Sequence, residues 1–208
     1  MSTHLTEEEQ VEAIKQWWKE NGVSVIGGAV IGLAAVFGWR WWGTYQTGLA
    51  DQASEQFQSL HQAVVSKSPD APKFGDKLFA EHSGSIYAVF AALDLAKFQI
   101  ESGNLQTART HLEWALTHAD TAPIQQIARL RLGRLLVDMN ELAAAEKVIA
   151  EAGQTPFAGD FAELRGDVAR ARNDYAAARQ AYQDALAKGV GVSSLVRMKL
   201  DDLGGSDA

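Results

Sequence analysis

The stretch AGDFAELRGDVARARNDYAAARQAYQDALAK, residues 158–188, reads as a helix, a short turn at Arg172-Asn173-Asp174, and a second helix. The same plan occurs twice upstream. Windows 88–118 and 124–153 have turns at Ser102-Gly103-Asn104 and Asp138-Met139-Asn140. After each turn an alanine falls at a matched place: Ala108, Ala145 and Ala178. Four residues on comes a large side chain (Leu112, Ile149, Tyr182), and three further another alanine (Ala115, Ala152, Ala185). The small residue before the turn is Ala96, Gly133 or Gly166. The alanines are offset by 37 and then 33 residues, a period typical of stacked helical units. Small residues let two antiparallel backbones approach, and the large residue fills the space left over. One such pair cannot bury its apolar stripe alone, so neighbours must stack. Val192 to Leu203, with Leu195, Val196, Met198 and Leu200, reads as a terminal capping helix.

Upstream of the repeats, residues 45–67 carry Leu49, Ala53, Phe57, Leu60 and Val64 at spacings of three and four, which predicts a helix with one apolar face. Ser68-Pro69-Asp70-Ala71-Pro72 ends it. Further upstream, Val23 to Trp39 contains no ionisable residue, and its apolar positions leave no polar face. Gly22 to Trp42 is 21 residues, interrupted by Arg40. At 1.5 Å per residue such a helix spans roughly 31 Å, the thickness of a bilayer's hydrocarbon core. Trp17 and Trp18 stand before the run, and Trp39, Trp41 and Trp42 at its end. An indole combines an apolar body with one N–H, so it sits at the headgroup level, and Arg40 at the second interface can snorkel outward. A core helix of a soluble domain would not gather indoles at both ends. A cleaved signal peptide fits poorly, because Glu7, Glu8, Glu9 and Glu12 lead the chain and bulky residues follow the run. Lys15 and Lys19 precede the span and Arg40 alone closely follows it, which predicts a cytoplasmic N-terminus and a translocated C-terminal domain.

The leader has capping-box spacing at Thr6 and Glu9, then Val11, Ile14, Trp17 and Trp18 at helical spacing. Asn21-Gly22 offers a break. An interfacial helix and a plain extension of the span both fit this pattern. Gly28 and Gly32 have the small-xxx-small spacing of close helix contacts, a weak signal alone. The expected organisation is a cytoplasmic segment with a short amphipathic helix (1–21), a transmembrane helix (22–42), a linking helix and connector (43–84), and a repeat domain with a C-terminal cap (85–208).

The chain has 208 residues, four prolines, no cysteine and a formal charge of -7. Absence of cysteine excludes disulfides, thiolate metal sites and cysteine nucleophiles. The acidic balance argues against nucleic-acid binding, which rests on clustered Lys and Arg. No catalytic or metal-binding motif is present. His4, His61, His82, His111 and His118 form no ligand pattern, and the nearest pair, His111 and His118, lies two helical turns apart. No cofactor and no catalytic residue are expected. Trp114 reads as core packing.

The matched small and large residues of the second helices resemble the tetratricopeptide (TPR) repeat. The first helices depart from it, with Ala92, Arg129 and Ala162, then Gln99, Leu136 and Ala169, where that repeat has tryptophan and tyrosine. The expected fold is therefore all-α: a single N-terminal transmembrane helix followed by a TPR-like α-solenoid. Over nearly its whole length the chain also resembles the YfgM family, through Gln10 to Gly22, the Gly38-Trp39-Arg40-Trp41-Trp42 stretch, and Leu164-Arg165-Gly166-Asp167. That resemblance implies a non-enzymatic ancillary subunit of the SecYEG translocon in the bacterial inner membrane. It implies a periplasmic TPR-like domain associated with a PpiD-like chaperone and with translocating polypeptides. A scaffold or regulatory adaptor that never touches clients is the alternative. Carried over from the TPR pattern, groove-facing candidates are Phe90, Leu93, Lys97 and Ile100 in the first unit. The second unit gives Ile127, Arg134 and Val137; the third gives Asp160, Glu163, Asp167 and Arg170. Such a groove runs from apolar to charged and suits a partner with an apolar anchor and a basic end. Leu93, Ile100 and Val137 read equally as core.

Overall fold

The computed structural model describes residues 7–204. Thr6 of the expected capping box, and His4, lie outside the described residues, as does the Glu9 side chain. The order of helices is α1 Glu7–Val65, α2 Ala71–His82, α3 Ile86–Glu101, α4 Leu105–His118, α5 Ala122–Asp138, α6 Leu142–Ala150, α7 Ala158–Ala171, α8 Tyr175–Lys188 and α9 Ser193–Gly204. The chain divides into two units, one ending at Asp51 and the other beginning at Gln52.

The first unit is the leading part of α1. No break occurs at Asn21-Gly22. The Asn21 side chain donates from Nδ2 to the Trp17 carbonyl at 3.0 Å, within the helix. Gly22 is buried, and a Cβ there would lie 3.3 Å from the Trp18 indole. The glycine is thus an indole's packing surface rather than a stop, and the leader extends the helix of the apolar run. From Val23 to Trp42 the side chains are exposed apart from partial cover at Gly27.

The second unit is a stack of helix pairs. Each predicted turn places one residue in the left-handed region at the matched position: Gly103 (φ 80°), Asn140 (φ 59°) and Asn173 (φ 62°). Glycine and asparagine tolerate that conformation best. The next residue's N–H then reaches back over the helix end: Asn104 to Gln99 O (2.8 Å), Glu141 to Leu136 O (2.8 Å), Asp174 to Ala169 O (2.9 Å). This satisfies carbonyls the helix leaves open. Ala108, Leu112, Ala115, Ala145, Ala178, Tyr182 and Ala185 are all fully buried. Gly133 lies against Leu164, and Gly166 against the Tyr182 ring.

The expected connector is more than that. The last turns of α1, with Ala53, Leu60 and Ala63, and α2, with Ala71 and Leu78, form one buried cluster with Ala91 and Leu95 of α3. Gly75 of α2 lies against Leu95 of the following helix α3. Residues 52–82 therefore build a helix pair ahead of the first of the three repeats, because the apolar stripe of α1 needs covering and the Ala71, Gly75, Leu78 stripe of α2 helps to supply the cover. Trp114 packs on the core, stacked on His118 with centroids 4.0 Å apart and tilted on Phe79 at 4.9 Å.

Candidate protein-binding groove and membrane anchor

The first helices α3, α5 and α7 share one face of the stack. Between α3 and α5 lies a trough of about 410 Å³ whose floor is Leu93, Ala96, Leu112 and Leu135. Lys97, Ile100, Arg131 and Arg134 stand at its edge. Leu93 is buried in the floor, and Ile100 is 38% exposed. Lys97 is held only loosely, 3.9 Å from Glu101. A second cavity, about 610 Å³, lies between α5, α7 and α9 and brings together Val137, Arg134, Asp160, Glu163, Asp167 and Arg170.

Nine of the eleven candidate positions therefore line these two cavities, with Arg134 in both. Phe90 and Ile127 do not. Both are partly buried against the main core, and Phe90 meets Phe57 of α1 at 6.1 Å. The added helix pair upstream accounts for Phe90: an aromatic that would end the groove is covered by α1.

The charged end also differs from expectation. Lys199 of α9 donates to Glu163 at 2.8 Å and to both oxygens of Asp167 at 2.7 and 2.8 Å. Glu163 is 4% exposed and accepts a further bond from Arg134 at 3.3 Å. The Tyr182 hydroxyl donates to Asp167 at 2.8 Å. Burial, reinforced by the charge and hydrogen bond of Asp167, pushes the Tyr182 pKa far above its ordinary value. Lys199 also lies 5.7 Å from the Tyr182 ring centroid. A nearly buried carboxylate is tolerated only when paired and fully bonded, and Lys199 supplies that pairing from within the chain. The place a basic partner would take is thus filled by α9. The clue in the sequence was a lone lysine in the capping helix, following three acids spaced three and four apart on α7.

The anchor candidates Trp17, Trp18, Trp39, Arg40, Trp41 and Trp42 are all exposed on α1. Trp41 and Trp42 both contact Tyr45, at 6.0 and 6.2 Å. Among the described residues α1 is the one helix long and apolar enough to cross a membrane.

Fold and surface together define a helical-repeat protein of the tetratricopeptide type with one candidate membrane span. Residues 15–205 match the family described as tetratricopeptide repeat-like domain. A protein of Escherichia coli (strain K12) named ancillary SecYEG translocon subunit is 29% identical over 205 residues, covering 98% of this chain and 99% of its own. One of the same name from Haemophilus influenzae is 32% identical over 205 residues, covering 98% and 100%. Another from Neisseria gonorrhoeae is 30% identical over 169 residues, covering 79% and 78%. No solved structure matches significantly. The chain belongs to the YfgM family of tetratricopeptide repeat-like proteins.

Proposed function

We propose that this chain is an ancillary subunit of the Sec translocon, anchored in the bacterial inner membrane by the apolar run of α1. In this reading residues 1–21 are cytoplasmic and residues 85–208 form a periplasmic interaction domain. That domain links the translocon to a PpiD-like chaperone and aids the handling of translocated polypeptides. The observation that carries the reading is end-to-end similarity to relatives named ancillary SecYEG translocon subunit, which takes in both the span and the repeats. The orientation rests on Lys15 and Lys19 against Arg40.

The trough at Leu93, Lys97, Ile100 and Arg134 is the apolar-floored part of the first-helix face and the surface assigned to partners. Confinement beside the translocon exit raises the effective concentration of any partner without requiring strong contacts. Purification in mild detergent tests the assignment: SecYEG and a PpiD-like chaperone are expected to accompany the full chain. A single unrelated partner in their place would instead establish the scaffold reading. Replacing residues 22–42 with an unrelated span asks which part recognises the partner; retained co-purification assigns recognition to the repeats. A C-terminal alkaline phosphatase fusion is expected to be active, and an inactive one reverses the orientation.

A further inference from the structure

The middle repeat is a turn short on its second helix. α4 and α8 each have 14 residues, whereas α6 has 9 and ends at Ala150. Directly after the matched alanines Ala115 and Ala185 come Leu116 and Leu186, and each packs against a buried cluster. After Ala152 the matched place holds Gly153, in the left-handed region at φ 62°. The middle repeat therefore lacks the leucine that its neighbours use to cover the adjoining helix. What remains is a notch of about 590 Å³ beside Phe161 and Val168 of α7, with Ala177 of α8 on its wall.

The rim carries three cations, Arg165, Lys188 and Arg172, and the carboxylates of Glu146 and Asp174. Arg165 and Lys188 both line the notch, and both reach the same carboxylate, Asp184, at 3.5 and 2.7 Å. The lysine holds the shorter bond. A guanidinium has five N–H donors, and among the described residues the hydrogen bond of Arg165 is the long contact with Asp184. Its side chain is 45% exposed. The third cation, Arg172, is also 45% exposed but is paired through two nitrogens with both oxygens of Glu146.

We propose that this notch is a second docking site, which accepts a leucine-sized apolar side chain from a partner polypeptide and a neighbouring carboxylate on Arg165. The partner's side chain stands where the repeat pattern would put the missing leucine, and its carboxylate relieves the sharing of Asp184. The site lies apart from the first-helix trough and does not depend on the translocon assignment.

The test uses the full chain in nanodiscs of zwitterionic lipid, with alanine methyls labelled for NMR. It is titrated with two alanine-based helical peptides, each carrying one leucine and, one turn away, either Glu or Lys. The expected result is shifts at Ala150, Ala169 and Ala177, with the Glu peptide binding roughly fivefold tighter, the size of one exposed ion pair. Arg165→Glu should reverse that preference. Ala177→Leu, which fills the notch from an exposed position, should weaken both peptides by roughly tenfold. Gln106→Glu, exposed on α4 and lining neither the notch nor the trough, should change neither. Equal affinity of the two peptides, indifference to Ala177→Leu, shifts confined to the trough, or shifts that need anionic lipid would each overturn the proposal. Any of these with the translocon co-purification intact leaves the functional assignment standing.

Discussion

Gly166→Ala is the sharpest test of how the helix pairs close. A methyl group at Gly166 would sit 2.3 Å from Tyr182 Cε1 and 2.4 Å from Cδ1. That is more than an ångström inside van der Waals contact. The tyrosine has nowhere to go, being fully buried with its hydroxyl tied to Asp167 at 2.8 Å. Overpacking of this kind costs about 1–3 kcal/mol, and loss of a hydrogen bond to a charged group adds about 1.5–3 kcal/mol if the ring is displaced. Against this, alanine is favoured over glycine in a helix by about 1 kcal/mol. The expected net loss is about 2 kcal/mol, which for a chain of this size lowers Tm by about 4–8 °C. Gly133→Ala is the internal control. Its methyl would meet Leu164 Cδ2 of α7 at 2.5 Å; Leu164 is also fully buried, but only the tip of an aliphatic side chain without a hydrogen-bond tether has to shift. It should cost less than half as much. Thermal melts of the full chain in detergent, followed at 222 nm, measure both. If Gly166→Ala matches the parent in stability, or Gly133→Ala proves equally damaging, close approach at the small residue does not hold the repeat together.

Lys199→Ala strands Glu163 and Asp167 and should cost about 2–3 kcal/mol, short of the full cost for a buried pair because Arg134 and Tyr182 remain as partners; adding Glu163→Gln should recover part of the loss in urea titrations. Asn173→Ala forces a Cβ-bearing residue without asparagine's local bonding into φ 62° and should cost about 1 kcal/mol, with Asn173→Gly neutral or better. His111 titrates below its ordinary value because burial disfavours its charge, with Asp76 opposing. Above about pH 6.5 it is neutral folded and unfolded; below that the unfolded chain takes the proton first, so stability falls as pH drops. Unfolding midpoints between about pH 7 and 5 should fall more steeply in the parent than in His111→Gln.

Repeats, turns and span were legible in one dimension because local chemistry sets them. The left-handed position at Gly103, Asn140 and Asn173 needs only a residue that tolerates it. The matched alanines mark the buried face of each second helix, and the uncharged run from Val23 to Gly38 between indoles is its own signal. The sequence left a break at Asn21-Gly22 and a continuous helix equally open, because a glycine's neighbour decides its role: Trp18 lies over it. What only tertiary structure decided were the contacts between units. Residues 52–82 join the core because α3 offers them Ala91 and Leu95. Lys199 closes the acidic end of the first-helix face from 36 residues beyond Glu163. The gap after Ala152 exists only because Phe161 and Val168 of the next unit stand behind it. Spacing along a chain reports which face a residue occupies, but the partner that arrives on that face comes from how the units stack.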